Sequence, residues 1–164
     1  MSVGGWPHGL DEIKARYGDP MEYFGGDGTF DAGRWERDHM TVIQLPEPLL
    51  MADGRQAYRV MCHREVAQAL GAFYSDLHDA RLLHELEPYG GCYCRRLQRG
   101  GSLRISTHWW AIASDWRVST CKQGTSGDMP QAIVERIEAA GMMWGGRWDM
   151  PDRDPMHGQF CNGY

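Results

Sequence analysis

The chain has 164 residues, 42% of them hydrophobic, which is enough for one ordinary domain but not for two independent cores. Its formal net charge is −5 and it has no lysine- or arginine-dense tract, which argues against general nucleic-acid binding. No run approaches the roughly 20 apolar residues of a membrane span, and the first residues lack the basic and apolar regions of a signal peptide. We therefore expect a monomer made in the cytoplasm, with no nucleic-acid or membrane partner.

The N-terminal part is predicted to contain one helix, a loop and a strand. Leu10, Ile13 and Tyr17 recur at helical spacing, which predicts a short helix over 9–17 that stops in a turn at Gly18. Residues 18–34 are rich in glycine and aspartate and are predicted as a loop. Residues 41–46 are predicted as a strand.

Two further helices and several short strands are predicted in the rest of the chain. Apolar residues every three or four positions predict a long helix over 64–86, and Pro130 and Gly141 bracket a second over 130–140. Segments rich in tryptophan, isoleucine and valine predict strands at 104–106, 110–118, 143–148 and 157–161. Because no βαβ rhythm is present, the pattern favours an α+β domain with a small antiparallel sheet flanked by helices.

His108, Asp115 and His157 are three possible metal ligands, and Asp154 adds a carboxylate beside the last of them. Three protein ligands and an open position for water are the minimum of a hydrolytic zinc site. His108 and Asp115 are seven residues apart. This separation puts them on opposite faces of a strand, or about 10 Å apart on a helix. A shared ion therefore requires a turn or a bulge between them, with Asp115 on the strand that follows.

The pattern Ser-x-His-x-x-(Gly/Ala)-x-Ala-x-Asp at 106–115, followed by Asp-x-x-His at 154–157, resembles the zinc peptidases of bacterial cell walls. That group includes D-Ala-D-Ala carboxypeptidases and the L-alanyl-D-glutamate endopeptidases of phage endolysins, and it shares its fold with the hedgehog signalling domain. The stretches 89–96 and 144–148 also resemble the phage-type members. The resemblance covers about residues 60–164. It implies a zinc peptidase domain over 46–164, with residues 1–45 as an extension packed on it.

The resemblance also implies roles for individual residues. His108, Asp115 and His157 would bind Zn²⁺, and Asp154 would be the catalytic base. An arginine precedes the first motif in the family, which implies that Arg96, with Arg95 as the alternative, stabilises the oxyanion; both could instead belong to a solvated face. Ser106 would orient a ligand or the substrate. The tryptophans either pack in the core or line a groove, and Trp110 is the candidate contact to substrate.

Two positions depart from the family pattern. Ala111 stands where the family usually has glycine, and Gly158 follows the last ligand, where an aromatic residue is usual. Neither change removes a candidate ligand.

The function that the resemblance implies is hydrolysis of an amide bond in the peptide stem of peptidoglycan. Cleavage between L-Ala and D-Glu is favoured over carboxypeptidase action, in a phage or prophage lysin that reaches the wall after release or as part of a virion. The alternative is an inactive, zinc-stabilised structural or binding module. The presence of Asp154 argues against that alternative, because a structural zinc needs no base beside it. Four-thiolate zinc binding is not supported, since the five cysteines lack paired C-x-x-C spacing and are expected to be reduced.

Overall fold

The computed structural model describes residues 5–98 and 103–164, which contain both helices and strands. Within these residues there are four α-helices and five strands, joined by turns and short 3₁₀ helices. The helices are α1 (Gly9–Tyr17), α2 (Ala32–His39), α3 (Ala67–Asp79) and α4 (Gln131–Ala139), and the strands are β1 (Met40–Leu50), β2 (Gln56–His63), β3 (Ala113–Asp115), β4 (Met143–Trp144) and β5 (His157–Gln159). The α+β class expected from the sequence is confirmed.

The strands form two small antiparallel sheets. β1 and β2 make a two-stranded hairpin, and the second sheet has the order β3-β5-β4. In the second sheet Asp115 of β3 lies opposite His157 of β5. Directly opposed residues of an antiparallel pair have Cβ atoms only about 5 Å apart. The register of this sheet therefore brings two of the candidate ligands together.

One hydrophobic core joins the N-terminal part to the rest of the chain. Ile13, Tyr17 and Trp35 are completely buried in the same cluster as the apolar faces of α3 and α4. The Tyr17 hydroxyl donates a hydrogen bond to the carbonyl of Phe160, near the other end of the chain. The proposed boundary between residues 45 and 46 falls inside β1. Residues 5–45 thus share one core with the described residues after them.

Several predicted elements are shorter than expected. The helix predicted over 64–86 begins at Ala67 and ends at Asp79, because Arg81 adopts a left-handed conformation with φ 59°. A separate 3₁₀ helix, Leu83–Leu86, continues the apolar periodicity, and both of its end residues are buried. The strand predicted at 104–106 is a single bridge between Leu97 and Ile105. The other three predicted strands contain β3, β4 and β5, each only two or three residues long.

Two elements were not predicted. Helix α2 begins inside the predicted loop, where the Asp31 side chain accepts a hydrogen bond from the backbone N–H of Arg34. Strand β2 completes the hairpin with β1. None of the helices in the described ranges is long and apolar enough to cross a membrane.

Candidate metal centre

The three candidate ligands come from three different pieces of backbone. His108 lies in a turn over residues 107–111, Asp115 ends β3 and His157 begins β5. The turn between His108 and Asp115 that their spacing predicts is therefore confirmed. Ala111 closes this turn with φ 54°, a left-handed conformation that glycine adopts most easily. Glycine at position 111 would adopt this conformation with less strain than alanine does.

One carboxylate oxygen lies between the two imidazole rings. Asp115 Oδ1 is 3.2 Å from His108 Nε2 and 2.9 Å from His157 Nδ1. All three ligand atoms lie within 4.8 Å of one another, and all three residues are buried. A tetrahedral ion bound at about 2 Å separates its ligands by about 3.3 Å. The group therefore has nearly the spacing that a zinc ion requires.

In His108 and His157, the ring nitrogen that faces away from Asp115 contacts a hydrogen-bond acceptor, and this leaves the other nitrogen able to bind a metal. His108 Nδ1 is 2.7 Å from the carbonyl oxygen of Cys92, and His157 Nε2 is 3.0 Å from Gln159 Oε1. Both oxygens only accept hydrogen bonds, so each outer nitrogen carries the proton. A metal ion would displace any proton that the inner nitrogens share with Asp115, and their lone pairs would then face the ion. Three converging acceptors fit a cation, and the donor set of two imidazoles and one carboxylate fits zinc.

The ionisation of the group reflects burial opposed by mutual attraction. Burial by itself would raise the pKa of Asp115, but hydrogen bonds and charges from His108 and His157 outweigh it and hold that pKa far below its ordinary value. Burial would likewise lower the pKa of His157, yet the carboxylates of Asp115 and Asp154 raise it. Asp115 is therefore an anion at neutral pH and a strong attractor of positive charge.

A groove of about 740 Å³ opens on one side of this group and contains most of the other predicted site residues. His157, Asp154, Ser106 and Arg96 all line it. Asp154 is partly exposed, and its backbone carbonyl accepts the N–H of His157 at 3.0 Å, which places it beside the candidate metal without adding it to the ligand set. The hydroxyl of Ser106 is 3.4 Å from the backbone N–H of His108, so it also supports the turn that carries this histidine.

Two sequence predictions need correction. Trp110 was expected to contact substrate, but it is completely buried and its indole N–H donates to the carbonyl of Gly18 at 2.8 Å. It is a core residue that joins the first ligand turn to the end of α1. Arg95, the alternative to Arg96, does not line the groove; its guanidinium lies 5.7 Å from the centre of the Phe30 ring. Of the two arginines, Arg96 is the one that lines the groove beside the candidate metal centre.

Two of the three further side chains near His157, Thr107 and Gln159, were not predicted, whereas Trp148 was among the tryptophans expected either in the core or in a groove. Thr107 Oγ1 lies 3.4 Å from His157 Nε2, and the Trp148 ring centre lies 5.6 Å from that of the imidazole. Gln159 accepts from the same ring nitrogen. Period-two alternation on a strand could have identified Gln159, because residues 157 and 159 share a face. Trp148 and Thr107 depend on loop geometry that the spacing of the sequence does not show.

Residues 100–160 match the sequence model of the D-alanyl-D-alanine carboxypeptidase family, a segment that contains all three candidate ligands and Asp154. No curated protein and no solved structure matches the chain. The small α+β architecture is compatible with a peptidase of this family. The family match and the buried group of two histidines and one aspartate together support a zinc peptidase.

Proposed function

We propose that this protein is a zinc-dependent peptidase that hydrolyses an amide bond in the peptide stem of peptidoglycan, with cleavage between L-Ala and D-Glu favoured. The observation that carries the proposal is the convergence of three metal-accepting atoms beside a groove that Asp154 also lines. The family match supports peptidase chemistry. The resemblance of its motifs to the phage-type members supports a lysin of phage or prophage origin that acts as a monomer.

Asp154, Arg96 and Ser106 would each perform a different part of the hydrolysis. A bound zinc would supply Lewis-acid activation of water and of the amide carbonyl. Asp154 would accept the proton of the attacking water and later deliver it to the leaving amine. Arg96 would donate hydrogen bonds to the oxygen on which negative charge develops. Ser106 would keep the His108 turn in place through its backbone contact.

The main groove has room for an extended peptide. It has a volume of about 740 Å³, and His157 and Asp154 both line it. An endopeptidase needs room of this kind, because residues continue on both sides of the bond that it cuts. Arg96 and Arg104 on the main groove would attract the carboxylates of an anionic peptide stem.

The decisive experiment is mass spectrometry of the fragments released from purified peptidoglycan, with the native protein, with a chelator and after zinc is restored. We expect zinc-dependent release of stem peptides that begin with D-Glu. Release of D-Ala alone would instead indicate a carboxypeptidase. Retention of zinc without any cleavage would contradict the proposal and favour the zinc-stabilised binding module.

A further inference from the structure

Gln159 is buried beside the candidate metal centre, although it binds no metal itself. It follows His157 by two residues on β5, so both side chains lie on the same face of the strand. Gly158 between them faces the other way, towards Trp116. Only 2% of the surface of Gln159 is exposed. A buried amide of this kind needs defined hydrogen-bond partners.

The amide of Gln159 is oriented by a backbone carbonyl. Its NH₂ group donates to the carbonyl oxygen of Cys161 at 3.3 Å. Gln159 Oε1 and the Cys161 carbonyl oxygen can both only accept, so the atom of the amide that faces Cys161 must be the nitrogen. Gln159 Oε1 is therefore left facing His157 Nε2 at 3.0 Å. The orientation of the amide thus follows from the hydrogen-bond network.

We propose that Gln159 is the positioning residue that fixes which nitrogen of His157 faces the metal. Because Oε1 can only accept, it holds the ring proton on Nε2 and leaves the lone pair of Nδ1 for the ion. The Asp115 carboxylate, 2.9 Å from Nδ1, favours the opposite arrangement, in which Nδ1 carries the proton and cannot bind a metal. Gln159 opposes that arrangement. This inference rests on the zinc centre of the proposed function.

Thr107 is the other neighbour of the same ring nitrogen, and it provides a matched comparison. Its hydroxyl oxygen is 3.4 Å from His157 Nε2, a longer contact than that of Gln159. A hydroxyl can also rotate to donate or to accept, so it does not select one position for the ring proton. Thr107→Val should therefore disturb zinc binding less than Gln159→Leu does.

The first test is the zinc dissociation constant, measured by competition with a chromogenic chelator. Gln159→Leu should weaken zinc binding by about 10- to 100-fold, the range typical for loss of a partner of a ligating histidine. Gln159→Glu supplies an equivalent acceptor, and in its acid form also the donor to Cys161, so it should restore affinity close to that of the native protein. Equal affinities for the native protein and Gln159→Leu, or a larger loss in Thr107→Val, would overturn the inference.

The second test detects the ring proton itself, which a purely structural role of Gln159 would not affect. Zinc-loaded protein with ¹⁵N-labelled histidine should show a His157 Nε2–H that exchanges slowly with water. In Gln159→Leu this proton should exchange faster, while the backbone amide spectrum stays native. An unchanged exchange rate would refute the positioning role. If the native protein binds zinc and cleaves peptidoglycan, but Gln159→Leu has the same zinc affinity and the same proton exchange rate as the native protein, only the inference fails. If the native protein binds no zinc, the proposed function fails.

Discussion

Asp154 is the residue whose replacement should separate hydrolysis from metal binding. It lies three residues before His157 and lines the groove, but the group of converging ligand atoms does not include it. Asp154→Asn keeps the size of the side chain and removes its capacity to accept a proton. We expect the zinc content to stay native and the rate of stem cleavage to fall by about 10²- to 10⁴-fold, the usual contribution of a general base.

The measurement combines elemental analysis of zinc with the initial rate of fragment release from peptidoglycan. Asp79→Asn, an exposed carboxylate on α3 far along the chain from the ligands, is the control and should retain the native rate. Native activity in Asp154→Asn would rule out the role of general base. Loss of zinc in that variant would show instead that Asp154 supports the metal.

The sequence predicted the candidate ligands better than the residues around them. His108, Asp115, His157 and Asp154 could be found because their types and spacing carry the chemistry, and the structure brings all four to one place. The position of Trp110 could not be found in this way. Adjacent residues in a turn point in directions set by the backbone conformation, so its burial depends on the conformation of the 107–111 turn.

Elements with a strong local signal were predicted best. α1 and α4 agree with the structure to within a residue, because apolar periodicity, Gly18 and Pro130 mark their ends. The length of α3 was overestimated, since a following 3₁₀ helix continues the same apolar spacing. β4 and β5 are too short to show a period of their own. The predicted strands at 143–148 and 157–161 contain them, but their bounds depend on pairing between segments distant in sequence, which a local pattern cannot report.

The packing of β5 explains why glycine replaces the usual aromatic residue after the last ligand. A Cβ on Gly158 would lie 2.7 Å from Cζ3 of Trp116, whose ring is completely buried. Trp116 thus occupies the space that a side chain at position 158 would need. Gly158→Ala should therefore reduce the free energy of unfolding by about 1–3 kcal/mol, as overpacking of a core generally does.

Urea unfolding of the chelated protein would measure this effect without a contribution from zinc. Gly71→Ala, in the middle of α3, is the matched control because no atom lies within 4 Å of the added Cβ. There the same change should stabilise the protein by about 0.5–1 kcal/mol, since alanine favours a helix over glycine. Equal stability of Gly158→Ala and the native protein would contradict the proposed packing role of Trp116.

At the scale of the whole molecule, a cluster of rings joins the N-terminal part to the hairpin. His63, at the end of β2, stacks against His39 of α2 with ring centres 5.5 Å apart, and it packs edge-on against Tyr17 of α1 at 5.0 Å. His63 Nε2 is 3.1 Å from the Tyr17 carbonyl oxygen, and its Nδ1 accepts the backbone N–H of Glu65. The neutral ring thus satisfies one acceptor and one donor, and it has no place for a second proton.

This arrangement predicts that acid weakens the fold well above the pH at which carboxylates titrate. Burial, together with the charge of His39, lowers the pKa of His63 to about 4, from about 6.5 in an unfolded chain. Between these values the unfolded state binds more protons, so stability falls as the pH falls, by up to about 1.4 kcal/mol per pH unit. His39, whose pKa burial also lowers, acts in the same direction. The raised pKa of His157 acts mainly above about pH 6.5, so it adds little to the slope in this window.

Urea unfolding of chelated protein between about pH 6.5 and 5 should show this dependence of stability on pH. His63→Gln, which can still donate a hydrogen bond to the Tyr17 carbonyl oxygen, should reduce it. An identical slope in the native protein and the variant would show that the acid sensitivity arises elsewhere.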